Sequence, residues 1–259
     1  VYKRQGGFSG TGAAILLDRA GFSDYLLVED GDGLGGAWHW NTYPGVGVDI
    51  PSFSYQFSFD QRTDWSRIYA PGRELKAYAD DVAQRFRITE HLRLNTRIVG
   101  VEFDETADLW TLRTGGGDSI TARHVVSATG VLTQPKRPDI AGLDDFAGEV
   151  LHTARWDHSI DLRGRRVAGI GTGASAVQAI PEIAKVAAHL TVFQRTPIWC
   201  MPKPDAPIPG VVRTALSRIP GARRLARTVS QAFVEVNFPL PAHFDGIVPW
   251  RSCLDLPGE

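Results

Sequence analysis

Three observations predict an α/β fold for this chain. A glycine-rich turn, Gly7-Phe8-Ser9-Gly10-Thr11-Gly12, opens a helix near the start. A second turn, Gly171-Thr172-Gly173-Ala174-Ser175-Ala176, stands directly between an apolar strand and a helix. Between them run segments whose apolar residues alternate in strand fashion. About 160 residues separate the two turns, so each opens its own βα unit.

The elements follow in order. Ala13, Ala14, Leu16, Leu17 and Ala20 recur at helical spacing over 9–20, and Gly21 is the stop. A short strand over 25–28 ends in Glu29, and the glycine-, proline- and aromatic-rich stretch 31–59 reads as ordered loop. Residues 71–86 have the pattern of a helix, and 92–101, 110–114 and 122–128 read as strands around the turn Gly115-Gly116-Gly117. Strand 167–170, helix 174–187 and strand 190–193 form the second unit, and a basic helical stretch over 211–236 begins a third segment.

Length and composition narrow the function classes. With 259 residues, 43% apolar and 22% charged, the chain can bury a sizeable core. A net charge of −1 supplies no field for a polyanion, so nucleic acid is not an expected partner. Two cysteines, Cys200 and Cys253, make neither a disulfide framework nor a C-x-x-C pair, which fits the cytoplasm. No apolar run is long enough for stable membrane insertion, and the seven histidines lack metal-ligand spacing, so no metal is expected. Both ends read as truncated: polar Val1 to Gln5 stands where an apolar strand should feed the first turn, and 245–259 has no helix or strand period.

The chemistry of the turns is specific. In the first, Gly7 and Gly10 fill the second and third positions of G-x-G-x-x-G, with Gln5 at the first, and Phe8 lies between them. Glycine there lets backbone approach a pyrophosphate, and the helix start offers N–H groups to the anion. Glu29, 19 residues after Gly10, is placed to accept hydrogen bonds from an adenosine ribose. The second turn, Gly171, Thr172, Gly173, Ala174 and Ser175, completes the motif in its strand-turn-helix context. The following strand ends in Gln194-Arg195-Thr196, not in an acid. Arg195 and the Thr196 hydroxyl suit a ribose 2′-phosphate, which favours NADPH over NADH.

Two further runs carry a family resemblance. Phe146 to Asp157 reads F-x-G-x-x-x-H-x-x-x-W-D, and Gly35 to Asp49 reads G-G-x-W followed by Tyr43-Pro44-Gly45 and an Asp. Together they resemble the fingerprints of the type I Baeyer-Villiger monooxygenases, over about residues 6–204. The resemblance implies two Rossmann-like domains, FAD-binding then NADP-binding: 6–145, a linker at 146–160, the first part of the second at 161–204, and the start of a helical insert at 205–259. It implies that Gly36, Trp38 and Tyr55 contact FAD and that Asp49 lies near the flavin as the catalytic acid, positioning an arginine beyond Glu259. It also implies that one oxygen of O2 is inserted beside the carbonyl of a ketone to give an ester or lactone, by the parent protein and not by this chain alone. His152 is expected to hold domains in register rather than to transfer protons. The alternatives are an N- or S-oxygenating flavin-containing monooxygenase and a non-catalytic nucleotide-binding fragment.

Overall fold

The computed structural model describes residues 6–130, 132, 134–198 and 203–237. The expectations for residues 1–5 and 245–259 lie outside them. The architecture is mixed α/β, with two parallel strand pairs and one antiparallel three-stranded sheet among the described residues. The chain divides into two compact units, Val1–Thr42 with Arg73–Arg155, and Tyr43–Gly72 with Trp156–Glu259.

The first unit opens with α1 (Phe8–Arg19), which buries Thr11, Ala14 and Ile15. Strand β1 (Leu27–Val28) pairs in parallel with β2 (Leu92–Arg93), and Glu29 N–H continues the ladder to the Arg93 carbonyl. The stretch 31–59 contains one helical turn, α2 (Ala37–Trp40), which the glycine and proline content did not reveal. Helix α3 (Gly72–Arg85) puts Leu75, Tyr78, Ala79, Val82 and Ala83 into the core at the spacing of a single apolar stripe.

The strand expected over 92–101 is two strands, β2 and β3 (Ile98–Asp104), because Asn95 between them takes a left-handed φ of 52°. β3 pairs antiparallel with β4 (Leu109–Thr114), and β4 with β5 (Ser119–Ala122). The strand expected at 122–128 is not regular beyond Ala122. His124, Val126 and Ser127 are exposed, so the apolar alternation there has no surface to bury against.

In the second unit β6 (Arg166–Ile170) and β7 (His189–Phe193) pair in parallel across α4 (Ala174–Ala184). Tyr43, Ala179 and Ile183 form a buried cluster joined by Val46, Trp156, Leu162, Val167 and Leu190. The helical stretch 211–236 is two helices, α5 (Gly210–Arg218) and α6 (Ala222–Asn237). Between them stand Pro220 and Gly221, the latter at φ 82°, where a helix cannot continue.

Candidate functional site

The first unit builds a cradle from glycine backbone and one acid. Gly7 caps α1 in extended conformation, and the first intrahelical bond runs from Thr11 N–H to the Gly7 carbonyl, so the preceding amides point out of the helix end. Gly36, at φ 56°, presses against this cap: a Cβ on it would lie 2.8 Å from Gly7 Cα. Gly35 N–H donates to the Gly6 carbonyl at 2.7 Å, locking the two glycine segments together. Gly10 is buried in α1, Phe8 stands 5.9 Å from the Tyr78 ring, and Trp38 is half-buried on α2.

Glu29 is 1% exposed, and its carboxylate accepts Gly6 N–H at 2.7 Å and Gly31 N–H at 2.9 Å. A buried carboxylate at a strand end, beside the amides of a glycine-capped helix, is a donor and acceptor set that fits the ribose and pyrophosphate of a dinucleotide.

Residues that the sequence did not single out line the same loop. The Arg155 guanidinium lies 4.3 Å over Trp40, His39 meets Trp40 edge-on at 5.0 Å, and His39 Nε2 pairs with Asp32 at 2.8 Å. Burial holds the Arg155 guanidinium below its ordinary pKa. An Arg two residues before the fingerprint's Asp157 was the available signal. His152 Nδ1 accepts the Ala154 N–H at 3.1 Å, and its carbonyl accepts Arg155 N–H. It shapes a tight turn.

In the second unit Gly173 caps α4, and the first intrahelical bond runs from Val177 N–H to the Gly173 carbonyl. Ala174 and Ser175 therefore present their amides at the helix start. Gly171 takes φ 97° at the end of β6, with its N–H on the Phe193 carbonyl, and buried Thr172 accepts the Gln194 side-chain amide at 3.0 Å. Arg195 and Thr196 are exposed just past β7.

Asp49 and Tyr55 belong to this unit. The Asp49 carboxylate accepts Gln178 Nε2 at 2.7 Å, and Tyr55 N–H bonds to the carbonyls of Pro51 and Ser52. Burial raises the Tyr43 phenol above its ordinary pKa, the Ser175 hydroxyl opposes this, and the Asp49 charge adds to it. Lys203 Nζ donates to the Val48 carbonyl at 2.7 Å and lies over the Tyr69 ring. Burial lowers the Lys203 pKa, against the pull of Asp49 and Asp205. Trp156 packs on the Tyr43 cluster, and Asp157 accepts the Ser159 N–H and hydroxyl, which hold its carboxyl below the usual range. Gln178 is the contact that motif reading missed. Its signal is one polar residue inside the apolar run Ala-Val-Gln-Ala-Ile.

Among the described residues no group of three metal-ligating side chains occurs, and no helix is long and apolar enough to cross a membrane. Fold and cradles together define a dinucleotide-binding oxidoreductase architecture. The chain belongs to the pyridine nucleotide-disulphide oxidoreductase family, whose model matches residues 6–224. It has that family's turns without a C-x-x-C pair.

It is similar to a Baeyer-Villiger monooxygenase of Streptomyces coelicolor, 44% identical over 85% of this chain and 42% of the relative. Among solved structures it resembles closed cyclohexanone monooxygenase, with TM-score 0.80, 33% identity, and coverage of 88% of this chain and 43% of that one. It also resembles an OTEMO complex with FAD and NADP, with TM-score 0.77, 32% identity, and coverage of 91% and 44%. The chain thus spans under half the length of the relatives it matches.

Proposed function

We propose that this chain carries dinucleotide cradles of a cytoplasmic FAD- and NADPH-dependent Baeyer-Villiger monooxygenase, whose substrates are a small ketone and O2. The observation that carries this reading is the pair of glycine-capped helices with opposite ribose-reading groups, buried Glu29 after one and exposed Arg195 after the other. The relatives' names support the reaction class, and the complex with FAD and NADP supports the cofactor pair.

The domain order we propose is FAD-binding 6–145, linker 146–160, NADP-binding from 161, and helical insert from 205. In the first cradle the amides after Gly7 receive the pyrophosphate and Glu29 accepts from the ribose hydroxyls. Gly36 admits backbone close to the ligand, and Trp38 offers flat surface to it. In the second, Gly171 to Ser175 receive phosphate at the α4 start, and Arg195 with Thr196 reads the 2′-phosphate. Asp49 orients a cationic side chain toward the reacting centre. Bound flavin would supply the redox chemistry and activate dioxygen, with hydride coming from NADPH.

The test is direct. The purified chain, mixed with FAD and freed of excess, should retain the flavin's visible band and bind NADPH more tightly than NADH. A colourless protein with no preference between the two nucleotides would overturn the proposal, and nucleotide binding without flavin would favour the non-catalytic alternative.

A further inference from the structure

The side-chain amide of Gln178 offers two acceptor lone pairs and two hydrogens, and all four are engaged on one loop. Oε1 accepts the Tyr43 hydroxyl at 3.0 Å and the Gly47 N–H at 3.2 Å. Nε2 donates to the Gly47 carbonyl at 3.0 Å and to Asp49 Oδ1 at 2.7 Å. The arrangement permits one orientation of the amide: a flip would set NH2 against the Gly47 N–H and oxygen against a carbonyl and a carboxylate. The loop is held further by its own backbone. Gly45, at φ 81°, passes so close to α4 that a Cβ there would lie 2.3 Å from the Gln178 carbonyl oxygen, and Lys203 fastens the Val48 carbonyl from elsewhere in the unit.

We infer that Gln178 is the positioning residue for Asp49, fixing the acid's carboxylate to the helix whose start receives the second dinucleotide. The side chain sits on the second turn of α4, so the acid and the amides after Gly173 ride on one rigid element. The inference rests on the reading that Asp49 serves the cofactor site. It deepens that reading by naming what holds the acid and what moves with it.

The experiment inverts the hydrogen bond in the whole chain. Q178E keeps the acceptors for Tyr43 and Gly47 but sets a carboxylate against Asp49 and the Gly47 carbonyl. Exchange of the Gly47 amide hydrogen, followed by NMR, should accelerate about tenfold. Adding D49N supplies a donor to Glu at 178 and should recover about threefold or more of that loss, while D49N alone should change exchange by less than about twofold. A residue that only fills space would show no such rescue. Unchanged exchange in Q178E, or a double variant no better than Q178E, overturns the inference.

If Q178E does not fold, D49A serves. It leaves the apolar contacts of α4 intact and should shift the Gln178 side-chain amide signals and speed their exchange; unmoved signals overturn the inference equally. None of these measurements needs flavin. A chain that binds no flavin yet shows the coupling would sink the monooxygenase reading and leave the Gln178 to Asp49 link standing.

Discussion

Around Gly7 the cradle is closed by protein, whereas around Gly173 it is open. A Cβ on Gly6 would meet Leu34 at 2.8 Å and one on Gly36 would meet Gly7, yet Gly171 and Gly173 have nothing within 4 Å. The two turns share a motif and use glycine for different reasons. Beside the first, Gly6 is crowded by the Leu34 and Glu29 side chains and Gly36 by the Gly7 backbone before any ligand arrives. In the second, Gly171 is demanded by φ alone, and Gly173, at φ −68°, is demanded by neither φ nor neighbours. The residues at the strand ends follow the same division, since buried Glu29 accepts the Gly6 and Gly31 amides while exposed Arg195 follows the second unit's last strand.

The largest effect that would break this comparison is at Gly36. G36V places branched carbon into the Gly7 backbone at a positive φ, and should lower unfolding free energy by about 3 kcal/mol in urea titration. A loss no greater than that of G173A would mean the first cradle is not closed as described. G173A, at φ −68° and in open space, should leave stability within about 0.5 kcal/mol while weakening NADP+ binding.

E29Q comes next. One amide oxygen can accept from one glycine, but its NH2 then faces the other N–H, so a buried donor is left without its acceptor. The cost should be about 1–3 kcal/mol in the same titration, together with loss of FAD retention. R195A should leave stability unchanged and weaken NADPH binding about tenfold in a fluorescence titration, with NADH affinity unaltered. Equal losses for both nucleotides would remove the 2′-phosphate role.

The smallest effect is in alkaline solution. Tyr43 titrates above its ordinary value of 10.0 when folded, so above that pH the folded chain binds more protons than the unfolded one. Its contribution to stability is fully present below pH 10 and is lost as pH rises through the raised value. Y43F should therefore flatten part of the decline in thermal midpoint above pH 10. Lys203 acts in the opposite sense, since its lowered pKa makes stability rise with pH until its ordinary value of 10.5.

Much of this was legible in the residues. The stripe Leu75, Tyr78, Ala79, Val82 and Ala83 announces α3 because a helix must bury one face, and the second glycine turn announces β6, α4 and β7 because the motif requires a strand before it and a helix after. The strand at 122–128 was misread because alternation reports a pattern and not the presence of a neighbour. The break at Asn95 was missed because a single left-handed residue leaves the apolar pattern on either side intact. Among the candidate residues, Glu29 was singled out by its spacing and Gly36 by the family resemblance. Gln178 was not, because its partners lie 129 to 135 positions away and only the folded loop brings them to it.

Gly45 has a consequence for how this loop tolerates change. Because its Cα faces the Gln178 carbonyl with no room for even a methyl group, the Tyr-Pro-Gly segment has lost the usual relation between side-chain size and mutational damage. In a saturation library of residues 43–49, alanine at Gly45 should score worse than phenylalanine at Tyr43. Variation could enter this loop through its larger side chains sooner than through its smallest.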